Sequence, residues 1–238
     1  MIADHPRVVV DWLPERAEAY ARGWAVVAVD VFRATTTACT AVAMGRRCFP
    51  VGSRDAALAR AGQLDRPLLA GEVAGKVVDG FELGNSPVTV AAHQDRHRPL
   101  VLLSSSGTKL LAAARGADVV FAASLRNVTA QVEDLVELGM PVAVLGAGTR
   151  GELRMEDLLG CARIAAGLVG RGYRADFRTA QMASHWGEAP ISLCATGRSA
   201  RWLRDAGQDQ DIGFVLDHDD DLSETFTMVD DELVGRTR

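Results

Sequence analysis

Short apolar runs alternate along the chain with alanine- and leucine-rich segments of helical length, and this alternation constrains the fold more than any other feature. The apolar runs predict buried strands at residues 7–12, 25–32, 66–72, 99–106, 117–124 and 141–148. The segments with apolar side chains at helical spacing predict helices at residues 35–45, 53–64, 107–116, 127–139 and 156–170. Alternating strands and helices are typical of α/β layer folds. We therefore predict a three-layer α/β/α fold with a largely parallel or mixed sheet.

Two segments depart from this alternation. Residues 71–87 are rich in glycine and predict a loop, and residues 211–234 predict a late strand followed by an exposed acidic tail. Long loops inside a compact domain often carry functional residues. The glycine-rich segment is therefore a candidate part of a site, whereas its charged side chains would otherwise simply face water.

The chain length is that of one large domain, and we predict a single domain over residues 1–238. A weak internal repeat runs through it, since Thr108 follows Thr37 by 71 residues in the same place on a strand, loop and helix pattern. The match predicts a duplication and two similar, intertwined subdomains, although any two such units with alanine-rich helices would align about as well. The two halves would be roughly residues 25–95 and 96–170.

Charge and cysteine usage limit the function classes. The net charge of −5, with no basic stripe, argues against a nucleic-acid surface. No run of about 18 apolar residues predicts a membrane span, and the first residues lack the pattern of a leader. The four cysteines have no C-x-x-C spacing, which predicts free, mostly buried thiols. We expect a cytoplasmic protein that binds neither nucleic acid nor membrane, and a homodimer is left open.

The first candidate site segment, VDVFRATTT, carries Asp30 at the end of a strand, then Arg33, then Thr35, Thr36 and Thr37 at the start of a helix. Hydroxyls at a helix N-terminus can donate to a bound phosphate or sulfonate, and an arginine can clamp such an anion. Asp30 is placed to hold a divalent cation or to act on a reacting group. The alternative is an N-cap cluster with an exposed arginine–aspartate pair.

The second segment, LLSSSGTKL, carries Ser104, Ser105 and Ser106 before Gly107 and Thr108. Three hydroxyls and a glycine that admits close backbone approach suit an anionic ligand, with Thr108 opening the next helix. The G-x-x-x-x-G-K-[ST] pattern of a P-loop is absent. Serine–glycine loops are also common as ordinary turns, and that alternative stays open.

Carboxylates mark two further segments. Glu72 lies in the glycine-rich segment, and Glu156 with Asp157 begins a helix after the glycine-rich exit of a strand. Acidic residues at a helix start complement its dipole, which is the common structural explanation. The pair could equally reach a hard cation that is shared with a phosphate.

Taken in order, these segments resemble the 2-phosphosulfolactate phosphatase family over roughly residues 7–235. That family typically shows V-D-x-x-R-A-T-T-T, a G-E-R-x-G loop running into G-F-x-L-G-N-S-P, a T-x-N-G-T loop, an S-x-x-N step and a late E-D pair. The corresponding positions are Asp30 with residues 33–37, Gly71 and Glu72 with Gly75, residues 80–87, residues 104–108, Ser124 with Asn127, and Glu156 with Asp157.

The resemblance implies a Mg²⁺-dependent phosphatase that converts 2-phospho-3-sulfolactate to 3-sulfolactate and phosphate, a step toward coenzyme M. It implies Asp30 and Arg33 as catalytic residues, with Arg33 as an anion clamp. It points to Glu72, Glu156 and Asp157 as metal ligands, with Asp30 as a further candidate. The small anionic phosphorylated substrate would be bound by Thr35, Thr36, Thr37, Asn85, Ser86, Ser104, Ser105, Ser106, Gly107, Thr108 and Asn127.

Two positions depart from the family pattern. Val73 stands where the family has the arginine of G-E-R-x-G, and Ser106 replaces the asparagine of T-x-N-G-T. The first change removes a guanidinium that could bind an anion in bidentate fashion. The alternatives are therefore a phosphatase of another small phosphorylated hydroxy acid, or a non-catalytic binder of phosphorylated metabolites.

Overall fold

One mixed sheet of eleven strands organises the computed structural model, which describes residues 5–149 and 151–236. The strands are β1 (Arg7–Trp12), β2 (Ala25–Val29), β3 (Cys48–Val51), β4 (Leu68–Val73), β5 (Lys76–Val77), β6 (Leu100–Leu103), β7 (Val119–Ala123), β8 (Val142–Gly146), β9 (Arg174–Ala175), β10 (Thr225–Val229) and β11 (Glu232–Arg236). The helices are α1 (Ala34–Ala43), α2 (Arg54–Ala61), α3 (Pro87–Ala92), α4 (Gly107–Ala113), α5 (Val128–Leu138), α6 (Met155–Val169), α7 (Phe177–Trp186), α8 (Arg198–Asp205) and α9 (Gln210–Asp217). Short 3-10 turns cover Pro14–Ala19, Ala114–Gly116, Leu125–Asn127 and Ile191–Thr196.

The sheet contains two parallel blocks joined by an antiparallel hairpin. Its order is β5-β4-β6-β3-β11-β10-β7-β2-β8-β1-β9. Strands β4, β6 and β3 are parallel to one another, and so are β7, β2, β8, β1 and β9. The hairpin of β10 and β11 fills the space between the blocks and pairs antiparallel with β7 and β3. The predicted α/β fold with a mixed sheet is confirmed.

Apolar side chains cover both faces of the sheet. Along β2, Val27 and Val29 belong to one core cluster together with α5 and α6. Val26 and Ala28 belong to a second cluster together with α1 and α4. A strand that is buried on both faces needs a continuous apolar run, which is what β2 has. The helices therefore form two outer layers around the sheet.

Two equivalent strand–helix–strand units cross between the blocks. Helix α1 leads from β2 to β3, and α4 leads from β6 back to β7. The last register pair of β2 and β7 is Val29 with Ala123, and that of β6 and β3 is Leu103 with Val51. Each unit therefore begins in one block and ends in the other.

Similar threonine-bonded turns follow β2 and β6, with the threonine five residues after its bonded partner in the first case and four in the second. After β2, the Thr35 hydroxyl accepts from the Asp30 amide at 2.8 Å and donates to the Asp30 carbonyl at 2.9 Å. After β6, the Thr108 hydroxyl accepts from the Ser104 amide at 2.8 Å and donates to the Ser104 carbonyl at 3.2 Å. Thr35, rather than Thr37, is therefore the structural counterpart of Thr108. A duplication of the two halves stays a prediction.

The prediction for residues 211–234 is wrong. Its first part belongs to α9, because Ile212 and Val215 recur at helical spacing and are buried on one side. The rest is no exposed acidic tail but the β10–β11 hairpin in the middle of the sheet. Phe226 and Leu233 anchor that hairpin in the core, and its acidic residues gather in the turn at Asp230.

Other elements are absent from the sequence prediction. It does not include strands β3 and β9 or helices α3, α7 and α8, and the predicted loop at residues 71–87 contains β5 and the end of β4. Pro50 obscures the strand signal of β3 in the sequence. Proline is tolerated at this position because β3 pairs there with β6 on one side only. All four cysteines are free and buried, as predicted. In the described part of the chain, none of the helices combines the length and apolarity of a membrane span.

Candidate active site

The turn after β2 is fixed by the threonines of VDVFRATTT. Besides the two bonds of Thr35 to Asp30, the Thr36 hydroxyl donates to the Val31 carbonyl at 2.8 Å. The peptide bond between Phe32 and Arg33 in this turn is cis. Two of the three threonine hydroxyls therefore hold the backbone that presents Asp30 at the end of a rigid, buried strand.

The carboxylate of Asp30 is 6% exposed and lies against the second unit. The backbone N–H groups of Ala34 and Gly107 lie near it and lower its pKa. A Cβ atom on Gly107 would overlap Asp30 Oδ2, so this approach requires glycine. The pKa of Asp30 is raised to about 7, mainly by burial and also by the negative charges of Glu72 and Glu156, which together outweigh the lowering effect of the two backbone N–H groups.

Glu72 joins the β4–β5 hairpin to the loop after β6. Its Oε1 accepts from the Ser105 amide at 2.7 Å, and its Oε2 accepts from the Ser105 hydroxyl at 2.9 Å and the Gly75 amide at 2.7 Å. The Ser105 hydroxyl also accepts from the Ala74 amide at 2.8 Å. The carboxylate is thereby held beside Asp30, and Ser105 serves to position it.

Asp157, in the first turn of α6, ties together the exits of β2 and β8. Its Oδ1 accepts from the Val31 amide at 2.9 Å, and its Oδ2 accepts from the Gly148 amide at 3.1 Å. Burial raises the pKa of Asp157 well above its ordinary value, with further contributions from the charges of Asp30 and Glu156. Complementing the helix dipole does not fully explain this residue, because its side chain is buried inside the site.

Arg33 is paired, but not with Asp30. Its Nη1 donates to Asp211 Oδ2 at 2.6 Å and to Gln208 Oε1 at 2.7 Å, and the guanidinium is almost fully buried. The other carboxylate oxygen of Asp211 accepts from the Ser86 hydroxyl at 2.5 Å. The alternative of an exposed pair with Asp30 is therefore wrong. Asp211 and Gln208 are not among the site residues predicted from the sequence, although the C-terminal segment that contains them is part of the family resemblance.

Three buried oxygen atoms in these segments have no hydrogen-bond partner among the described residues. They are Thr37 Oγ1, Asn85 Oδ1 and Glu156 Oε2. Thr37 lies in α1 and Asn85 directly before Ser86 and α3, and α1 packs against α3. Buried polar atoms are nearly always satisfied in native proteins. The packing of α1 against α3 brings the segments of Thr37 and Asn85 together, and their free oxygen atoms indicate a place where a ligand completes the hydrogen bonding.

With this geometry established, the comparison with protein families is decisive. A family model described as 2-phosphosulpholactate phosphatase matches residues 12–224. The chain belongs to this family. The predicted membership in this family is confirmed.

Curated relatives carry the same name. A probable 2-phosphosulfolactate phosphatase of Carboxydothermus hydrogenoformans is 35% identical over 159 residues, which are 66% of this chain and 66% of the relative. One of Symbiobacterium thermophilum is 37% identical over 143 residues, 59% of this chain and 61% of the relative. The chain thus spans just under two thirds of these two relatives. One of Synechococcus sp. (strain JA-2-3B'a(2-13)) is 31% identical over 220 residues, 87% of this chain and 90% of the relative.

The other predicted substrate-binding residues, in the turn after β6 and at the end of β7, have different hydrogen-bond partners. Ser104 and Thr108 are bonded to each other within the turn after β6, and Ser106 is half-buried there without a capping bond from its side chain. Asn127 is fully buried, accepts from the Ser124 amide at 3.0 Å and belongs to a capping box at the end of β7. No contact in the described structure brings Asn127 to Asp30, and its substrate-binding role stays a prediction.

Val73, the first departure from the family pattern, lies at the outer edge of the β4–β5 hairpin. Val73 pairs with Lys76 and Glu72 with Val77 in the β4–β5 hairpin. Successive side chains on a strand lie on opposite faces, so Val73 lies on the face opposite to Glu72, and it is 54% exposed. The guanidinium missing at this position therefore affects the outer rim of the hairpin rather than the carboxylate cluster.

Within residues 5–149 and 151–236, no three histidine, cysteine, aspartate or glutamate side chains are arranged to hold a metal ion. The predicted ligands Glu72, Glu156 and Asp157 are thus not gathered into a preformed three-ligand centre. Mg²⁺ does not need one, because it commonly binds through one or two carboxylates together with water and substrate phosphate. Burial and neighbouring carboxylates raise the pKa values of Asp30 and Asp157, and this concentration of negative charge, with the unpartnered Glu156 Oε2, suits such a cation.

Proposed function

We propose that the protein is a Mg²⁺-dependent phosphatase that hydrolyses 2-phospho-3-sulfolactate to 3-sulfolactate and inorganic phosphate, a reaction that leads toward coenzyme M. One observation carries this proposal: the family segments, distant in sequence, meet around the carboxylate of Asp30. Gly107 lies against it, and Glu72 and Glu156 act on its pKa. The free, buried thiols support a reducing, cytoplasmic location.

Glu72 and Glu156 would hold the cation, and Asp30 beside them would act on the reacting groups. When bound, Mg²⁺ would offset negative charge on the phosphoryl oxygens and on the surrounding carboxylates. The fit rests on the buried carboxylates, because like charges this deep in a protein are stable only when protons or cations compensate them.

The chain's own residues would bind the substrate and move the proton. Arg33 and the N-terminus of α1 provide positive charge for an anionic group, and Thr37 Oγ1 is free to bond it. A carboxyl group whose pKa lies near neutrality exchanges protons efficiently at pH 7. Asp30 would take the proton of the attacking water as the water oxygen bonds to phosphorus and the bond from phosphorus to the ester oxygen breaks. The leaving oxygen of sulfolactate would gain a proton from solvent, and Asp30 would return its proton to solvent.

A second candidate is a phosphatase of another small phosphorylated hydroxy acid. It is favoured by Val73, which places an exposed apolar side chain on the hairpin where the family has a guanidinium. A substrate with fewer negative groups than a phosphorylated sulfo acid would need fewer cationic side chains at this rim.

A paired-substrate assay distinguishes the two candidates. The purified protein, freed of metal with EDTA and then given Mg²⁺, is assayed for phosphate release from 2-phosphosulfolactate and from 2-phospholactate, which lacks the sulfonate. The proposal predicts Mg²⁺-dependent release with a higher kcat/KM for 2-phosphosulfolactate. A higher kcat/KM for 2-phospholactate supports the second candidate, and tight binding of either compound without release contradicts both.

A further inference from the structure

A buried ion pair links the C-terminal helix α9 to the start of α1. Asp211 is fully buried, and the side chain of Arg33 is 6% exposed. Their contact at 2.6 Å joins residues that are 178 positions apart. Ser86, from the segment before α3, donates to the second carboxylate oxygen at 2.5 Å. Both oxygens of Asp211 are therefore occupied by side chains that the family resemblance assigns to catalysis or substrate binding.

The guanidinium of Arg33 is held by one of its three nitrogen atoms. Nη1 donates to Asp211 and to Gln208, and no hydrogen bond joins Nε or Nη2 to any residue in the described parts of the chain. A planar guanidinium that is fixed at one corner keeps its remaining donors in a set orientation. Those donors have the geometry that a bidentate contact with a phosphate or a sulfonate needs.

We propose that Asp211 is a positioning residue that fixes Arg33 for contact with an anionic group of the substrate. This inference rests on the proposed phosphatase function for its substrate. Ser86, which the sequence analysis assigns to substrate binding, acts through Asp211 by fixing the orientation of its carboxylate. Gln208 supports the same nitrogen of Arg33 from the loop before α9. The C-terminal segment thus completes a site whose other parts lie in the first two thirds of the chain.

The opposite role for Asp211 makes a different prediction. A carboxylate that merely neutralises Arg33 would weaken anion binding, and its removal would tighten it. A carboxylate that orients Arg33 would strengthen anion binding, and its removal would weaken it. Asp211→Asn separates the two roles, because it removes the charge while keeping the size and one acceptor oxygen.

The experiment measures steady-state kinetics with 2-phosphosulfolactate and Mg²⁺ for wild type, Asp211→Asn, Arg33→Ala and the double variant. We expect Asp211→Asn to raise KM about tenfold or more, the scale of a lost charged hydrogen bond, with a smaller change in kcat. In the Arg33→Ala background the same substitution should change KM less than about twofold, because a residue that acts through Arg33 has nothing left to position. Asp209→Asn is the matched control on the same helix segment, since Asp209 is exposed and makes no side-chain capping bond.

An unchanged or lower KM for Asp211→Asn overturns the inference, and so does an equal effect in both backgrounds. If Asp211→Asn fails to fold, as judged by its thermal transition, Gln208→Ala takes its place in the same set of measurements. We then expect a smaller rise in KM when Arg33 is present and no rise in the Arg33→Ala background. If wild type releases no phosphate, the proposed function fails. Calorimetric binding of inorganic phosphate with Mg²⁺ then decides the inference alone: weaker binding by Asp211→Asn supports it, and equal or tighter binding overturns it.

Discussion

Gly107 lies so close to the carboxylate of Asp30 that a Cβ atom there would overlap Oδ2 and come within 2.8 Å of Ala34 Cβ. This contact joins the two equivalent strand–helix–strand units at the centre of the site. It also explains why a glycine begins α4, because only a residue without a side chain lets the start of α4 approach Asp30 this closely. The close approach makes Gly107 as much a part of the site as the charged residues.

Replacing this glycine tests the contact. Gly107→Ala should destabilise the protein by about 1–3 kcal/mol, the usual cost of overpacking, and should reduce phosphate release by displacing Asp30. Urea unfolding and the phosphatase assay measure the two effects. Gly116→Ala is the control, since a Cβ there meets Ala21 Cβ at an ordinary 3.6 Å and its φ is not positive. Equal stability and activity of the two variants would show that the contact is dispensable.

The buried carboxylates predict an unusual pH dependence of stability in the metal-free protein. The pKa of Asp30 is about 7 in the folded state and 3.8 in an ordinary setting, and burial raises the pKa of Asp157 and Glu156 in the same direction. Between about pH 4 and 7 the folded state therefore holds protons that the unfolded state has released. The free energy of unfolding should fall as pH rises through this window.

Urea unfolding in EDTA, repeated between pH 5 and 8, measures this slope, with Asp30→Asn as the comparison. The variant has no titrating group at this position, so its slope should be shallower. A wild-type protein that grows more stable across the window, or a variant with an unchanged slope, would refute the assignment of the site charges.

Magnesium should stabilise the protein most where the carboxylates are ionised. At a concentration about 100 times its dissociation constant, a ligand that binds only the folded state adds about 2.7 kcal/mol. We expect the thermal transition to rise on adding Mg²⁺ at pH 8, to rise less at pH 5, and to rise less in Glu72→Gln than in wild type. NaCl at equal ionic strength is the control. An equal rise with NaCl, or an undiminished rise in Glu72→Gln, would argue against a cation at this cluster.

The β4–β5 turn offers a pair of opposing substitutions. Ala74 has φ 51° and Gly75 has φ 82°, so both residues lie in the left-handed region of a tight hairpin turn. Ala74→Gly should stabilise the protein by about 0.5–1 kcal/mol by removing the strain of a side chain in this region. Gly75→Ala should destabilise it, because a Cβ there would overlap the indole of Trp202. Chemical denaturation measures both, and changes of the same sign would contradict the turn geometry.

Much of the site could be predicted because its pieces are local. Asp30 follows an apolar run that predicts a buried strand, and the threonines after it mark a helix start. This turn can therefore be predicted from the sequence alone. The family segments then indicate which turns share a ligand. The structure adds the role of each side chain within them. Thr35 and Thr36 hydrogen-bond to the backbone, Ser105 hydrogen-bonds to Glu72, and the Thr37 hydroxyl oxygen has no partner among the described residues.

The rest depends on contacts between distant parts of the chain. Nothing local to Arg33 predicts a partner 178 positions away, and that partner lies on α9, whose run of Ile212, Phe214 and Val215 has the composition of a strand. The β10–β11 hairpin is hidden for a related reason. The acidic residues of its turn make this part of the sequence look like an exposed segment. Two buried side chains, Phe226 and Leu233, nevertheless fix the hairpin in the sheet.

The most direct test of the account is the initial rate of phosphate release from 2-phosphosulfolactate with Mg²⁺, measured for wild type, Asp30→Asn and Asp65→Asn. Asp65 is an exposed carboxylate outside the family segments and provides the matched control. The account predicts release by wild type and Asp65→Asn, and a loss of about 100-fold or more in a correctly folded Asp30→Asn variant, the scale of a missing general base. Release by Asp30→Asn at the wild-type rate would contradict it.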